Sequence, residues 1–141
     1  MKKIASLSFP LLLLLSLALS VIACGEPAPI PEVSLWDSAT YTADASVGEG
    51  EKTVTVKITA VEKTVTLTVK TDAETLGAAL YALELVNDPS FFDTANGMQA
   101  SWEKHKAYWA FYIGDAFATV GINDATLVGG EHFALVYTVS P

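Results

Sequence analysis

Two short runs with strict period-two alternation restrict the fold of this chain more than any other feature. Val54, Val56 and Ile58 are interleaved with Thr53, Thr55, Lys57 and Thr59. After a turn near residues 60–63, Val65, Leu67 and Val69 alternate with Thr64, Thr66, Thr68 and Lys70. Successive strand side chains point to opposite faces, so each run predicts a strand with one aliphatic and one threonine-lysine face. Together they predict an amphipathic hairpin whose aliphatic face must be covered and whose polar face can meet water.

The cover is expected directly after the hairpin. Thr71-Asp72-Ala73-Glu74 has the form of a capping box, and Leu76, Ala79, Leu80, Leu83 and Val86 follow at helical spacing until Asn87-Asp88-Pro89 stops the helix. Asn96-Gly97 is a strong two-residue hairpin signal and predicts short strands at residues 91–95 and 98–102, followed by a polar link from Glu103 to Lys106 that carries His105. From Ala107 to Val139 the chain reads as sheet, with Tyr108 to Ile113 almost wholly aromatic or branched and Phe133, Leu135, Tyr137 and Val139 at period two. A hairpin, a helix and a return to strand form the beginning of a β-grasp arrangement. The expected class is therefore α+β, a β-grasp-like mixed sheet packed by one helix.

The amino terminus carries a different signal. Lys2 and Lys3 precede an apolar run from Phe9 to Ile22, which predicts an export signal over residues 1–23. Val21-Ile22-Ala23-Cys24 resembles the lipobox of bacterial lipoproteins, which implies that Cys24 is acylated and begins the mature protein. An uncleaved membrane anchor is the competing reading, but Ser16 and Ser20 interrupt the run. The expected location is the extracytoplasmic face of a cell membrane, held by lipid on Cys24. Pro27, Pro29 and Pro31 alternate with small and acidic residues, so residues 24–50 are expected to be a tether and residues 51–141 the domain. Trp36 within the tether is expected to be a partly buried packing residue.

Sixteen acidic residues face eight lysines, two of which are Lys2 and Lys3, and there is no arginine. That balance argues against nucleic acid as a partner, because phosphate neutralisation relies on clustered lysine and arginine. Cys24 is the sole cysteine, which excludes an internal disulfide and a cysteine-based metal site.

Several residues in the second half carry a resemblance. Asn96-Gly97, Trp102, the run Ala107 to Ile113, Gly121-Ile122-Asn123-Asp124, Gly130-Glu131 and Val136-Tyr137-Thr138 resemble a bacterial domain family of unknown function related to the carboxy-terminal domain of transcobalamin and intrinsic factor. The resemblance runs from about Thr53 to the end of the chain and implies a small β-grasp-like sheet with one helix. In the vertebrate carriers this domain forms one wall of the cobalamin site, with the strand matching Tyr108 to Phe111 towards the ligand. Their other wall is an α/α barrel that this chain lacks. The resemblance therefore implies cobalamin or another corrinoid as the ligand, shared with a companion binding protein or transporter.

Trp102, Tyr108, Trp109, Phe111 and Tyr112 are the expected ligand-binding residues, since flat ligands are held by broad aromatic contacts. Strand alternation divides them: Tyr108 and Tyr112 point one way, and Trp109, Phe111 and Ile113 the other, into the core. His105 and His132 are too far apart in sequence to define a metal site, and no metal is expected. His132 reads as a solvated residue at the start of a strand, and Asp124 as a loop-closing side chain. No nucleotide-binding, hydrolase or metalloprotease motif is present, so the chain is not expected to be an enzyme. Two functional classes follow: a surface-anchored ligand-capture module, or a non-catalytic cell-envelope module that binds protein or glycan. Exposed aromatics beside the sheet favour the first; buried aromatics with a bare strand edge favour the second.

Overall fold

The computed structural model describes residues 33–141. The signal segment, Cys24 and the proline-rich part of the tether lie outside the described residues. Among the described residues no helix is long and apolar enough to cross a membrane.

The hairpin forms as its alternation requires. β2 (Lys52–Ala60) and β3 (Lys63–Thr71) pair antiparallel over nine positions, with Val54, Val56, Ile58, Val65, Leu67 and Val69 all buried. Val61 and Glu62 turn the chain with φ of 45° and 60°, the positive values that a tight two-residue hairpin turn demands, here without glycine or asparagine. The last strand, β8 (His132–Val139), lies parallel to β2, and β6 (Ala107–Ile113) lies antiparallel on the far side of β8. With β1 (Ala45–Gly48) and β7 (Ala116–Phe117) at the margins, the order is β1-β3-β2-β8-β6-β7. A hairpin whose first strand pairs in parallel with the final one, across an intervening helix, is the β-grasp arrangement. The fold is α+β, and the sheet is mixed.

Helix α2 (Leu76–Ala82) supplies the cover through buried Leu76, Ala79 and Leu80. It is shorter than its apolar spacing predicts. The capping box does not form: Thr71 accepts from the amide of Ala73, while Thr75 caps the helix by accepting from Ala78. At the other end the chain leaves the helix at Leu83, and Glu84 takes a positive φ of 58°, well before Pro89. Leu85 and Val86 are buried beyond the helix end, so the apolar stripe continues as packing after the helical geometry stops. Gly77 is fixed by contact, since a Cβ there would meet the carbonyl oxygen of Pro89.

The expected tether is too long. Residues 33–50 belong to the fold: α1 (Val33–Asp37) leads into β1, which pairs parallel with β3. The Trp36 indole N–H donates to the carbonyl of Ala60 at 2.9 Å, and the Lys63 ammonium sits 4.6 Å from its ring centre. These contacts make Trp36 the partly buried packing residue expected of it. Asn96 secures the same segment. The Asn96-Gly97 hairpin forms, with β4 (Thr94–Ala95) and β5 (Met98–Gln99) shorter than expected, and Asn96 is fully buried. Its side chain accepts from the amide of Tyr41 and donates to the Tyr41 carbonyl at 2.9 and 2.8 Å, while its own amide donates to Leu85.

Replacing Asn96 with Ala strands both backbone groups of Tyr41 and should destabilise the fold by about 2–4 kcal/mol in urea unfolding. A loss within about 0.5 kcal/mol would show that the leading segment is not anchored there. The turn before β8 gives a second expectation. Burial would raise the Glu131 carboxyl, but the amides of Val128, Gly129 and Glu131 and the nearby Lys52 outweigh it and hold the group below the usual carboxylate range. A depressed folded-state value stabilises above the unfolded value and is lost as pH falls through the folded one. Glu131→Gln should therefore lower stability by about 1 kcal/mol at neutral pH. The deficit should close in thermal melts as pH falls below the usual carboxylate range; a gap independent of pH would refute the assignment.

Candidate functional site

One face of the sheet is covered by α2 and the segments around it; among the described residues the other carries no helix. The open face is built from Thr55, Lys57 and Thr59 on β2, the in-register threonines of β3, His132, Ala134, Val136 and Thr138 on β8, and Tyr108, Ala110 and Tyr112 on β6. Its polar character follows from the alternation that buries valine and leucine on the other side.

The structure divides the five expected binding residues. Trp109 and Phe111 belong to the core, each 8% exposed. The Trp109 indole donates to the Met98 carbonyl at 3.2 Å and meets Tyr137 edge-on at 5.6 Å, while Phe111 stacks on Phe133 at 5.9 Å. Their rings hold the sheet to its cover, which removes Phe111 as a ligand contact on the open face and makes Trp109 chiefly structural. Ile113 corrects the expectation in the opposite sense: it is 39% exposed, because the core cover ends before the last residue of β6.

Trp102 and Tyr108 are exposed and come together, their ring centres 6.4 Å apart. Local structure explains the pair. The expected polar link is a one-turn helix, α3 (Trp102–His105), capped by Ser101, whose hydroxyl accepts from the Lys104 amide. Lys106 ends it in the left-handed region and lays its ammonium 5.3 Å from the Trp102 ring centre. Trp102, Tyr108 and the rim of Trp109 border a cavity of about 420 Å³, with Asp93, Ser101 and Glu103 as polar partners. The size suits a small-molecule site, and the two exposed rings offer stacking surface.

Tyr112 stands at the other end of β6, half-buried and edge-on to Phe117 at 5.5 Å. It borders a separate open cavity, also about 420 Å³, with Thr55, Lys57, Asp115, His132, Ala134 and Val136. The five residues thus mark two places and a core. His132 is exposed at the start of β8, as expected, but its meeting with Lys57 depends on the parallel pairing of β2 with β8, which no short motif encodes. Among the described residues no group of three or more histidine, cysteine, aspartate or glutamate side chains is placed to hold a metal ion.

No protein-family model matches the sequence, and no curated protein matches it. Among solved structures, the crystal structure of a candidate metal binding protein from Ruminococcus gnavus superposes with a TM-score of 0.59 at 23% identity, covering 64% of this chain and 100% of that chain. At that identity the likeness shows the fold alone: a sheet-dominated α+β domain.

Proposed function

We propose that this chain is a ligand-capture module anchored outside the cell by lipid on Cys24, with a corrinoid such as cobalamin as its ligand class. The observation that carries the reading is the exposed Trp102–Tyr108 pair at a cavity beside a sheet face that no helix among the described residues covers. Apolar surface exposed beside a cavity marks binding sites. The two rings are tilted 56° to each other, so a flat macrocycle would stack on one and meet the other at its edge, and a companion chain or transporter would close the opposite side. This chain contributes shape, stacking and a few polar contacts; no reaction is assigned to it.

One observation favours the second class. β7 pairs only with Tyr112 and Ile113, and beyond the backbone bonds of Phe111 to Ala118 and Ala107 to Ser101 the earlier part of β6 has, among the described residues, no neighbouring strand on that side. An extended peptide of an envelope protein would find free backbone groups there.

Calorimetric titration of the compact unit Glu32–Pro141 with cobalamin and with cobinamide separates the two. Capture predicts saturable binding near about 100 µM for a single wall, weakened about tenfold by Trp102→Ala. No heat from either corrinoid up to about 1 mM would remove the corrinoid and leave the peptide reading. Metabolic labelling with palmitate tests the anchor: the exported chain should carry label, and Cys24→Ser should abolish it.

A further inference from the structure

Among the described residues none of the fourteen acidic residues stands in a strand, whereas four of the six lysines do. Lys52 is taken by the carbonyl of Ala73, and Lys63 lies over Trp36. Lys57 and Lys70 remain exposed among the threonines of the open face. Lys57 belongs to a row in direct cross-strand register, running Thr66, Lys57, Ala134, Tyr112, Phe117. The adjacent row on the same face brings Thr55 opposite His132, which places the imidazole diagonally across from Lys57, about 7–8 Å away between Cα atoms.

This pattern makes a trough. Lys57 and Tyr112 stand on either side of Ala134, two inter-strand spacings or about 10 Å apart, and the small side chain between them leaves the depth of a ring. Val136 extends the apolar floor, and Phe117 braces the Tyr112 ring from outside. The Lys57 ammonium stands at one end of the trough, with the His132 imidazole and the Thr55 hydroxyl beside it as hydrogen-bonding groups. Glu131, the nearest acid in sequence, is engaged elsewhere: its two carboxylate oxygens accept from the amides of Val128 and Gly129 in its own loop, and its neighbouring cation is Lys52. Asp115 is the single acid on the cavity wall, and it borders the same trough.

We infer that the Tyr112–Lys57–His132 trough is a second binding subsite, which takes a flat aromatic ring carrying one carboxylate or similar anionic group. The ring rests on Ala134 and Val136 between the Tyr112 ring and the methylene stem of Lys57. Its anionic group lies between the Lys57 ammonium and the His132 imidazole, and Asp115 disfavours a second anion on the ligand. The inference rests on the reading that the open face takes small ligands. It concerns a different place from the Trp102 cavity, since Tyr108 and Tyr112 are about 13 Å apart along the strand.

The test is amide-resolved NMR of Glu32–Pro141 titrated with 2-naphthoate and with its neutral counterpart 2-naphthamide. Saturable shifts should centre on Tyr112, Ala134 and His132, with the amide binding about fivefold more weakly than the acid. Lys57→Gln, a change at an exposed side chain, should erase most of that preference, and Ala134→Leu should fill the trough and abolish binding. Lys70→Gln, on the same face outside the trough, should leave binding unchanged. Equal affinity for acid and amide, shifts centred on Trp102 and Tyr108, or no localised shift up to about 5 mM would each overturn the inference. If corrinoid binds at Trp102 while naphthoate does not bind at Tyr112, the subsite falls and capture stands. The converse result leaves the subsite and removes the corrinoid.

Discussion

The parallel pairing of β2 with β8 is the constraint on which the rest of this structure depends. It sets Val56 opposite Phe133 and Ile58 opposite Leu135, so the hairpin and the last strand share one apolar face under α2. Burying that face is the main favourable contribution to folding, at roughly 1.5–3 kcal/mol for each large side chain. A slip of one residue would turn Phe133 and Leu135 towards water and bring Ala134 and Val136 into the core. The same register decides what lies on the reverse of the sheet. Ala134 of β8 stands between Lys57 of β2 and Tyr112 of β6 because its neighbours Phe133 and Leu135 take the buried face.

Much of this was legible in the residues. The valine-threonine alternation specified the hairpin and its two faces, and Asn96-Gly97 specified a turn, because both are local signals that depend only on backbone geometry. Reading failed where tertiary contacts outweighed local preference. Thr71 and Glu74 satisfied the capping pattern, yet Leu76 and Leu127 pair with Ala125 and Glu74 through backbone bonds, which delays the helix until Thr75. The helix also ended early. Leu85 bonds back to Leu80 and accepts from Asn96, a tertiary arrangement that no stripe of apolar residues records.

The leading segment was misread for a related reason. Residues 33–50 have few apolar residues and adjoin a proline-rich run, so composition favoured a tether. The contacts that dock them are single and long-range: the Trp36 indole to Ala60, the Asn96 side chain to Tyr41, and a four-residue strand on β3. Among the aromatics, alternation correctly separated Tyr108 from Trp109, but it could not give the depth of the cover along β6. That depth decides Ile113, which leaves the core because the cover ends before it. The partners of Tyr112 were hidden more completely, since Lys57 and His132 are 75 residues apart in sequence and meet only through strand pairing.

The charge pattern raises a physical question, because a chain of formal charge −8 should repel anions. Distance resolves it. At physiological ionic strength the screening length is about 8 Å, so the loop acids other than Asp115 act weakly on a ligand already seated in the trough. Lys57 and His132 act at contact range beside the apolar side chains of Ala134 and Val136, where separation is short enough for screening to matter little. Long-range steering is therefore unfavourable for an anion while short-range recognition is favourable. A face of this kind selects by fit and contact, and its on-rate should gain as added salt screens the loops. An anionic ring that reaches the trough meets the Lys57 ammonium with the His132 imidazole beside it, whereas one that approaches elsewhere meets the acid-rich loops.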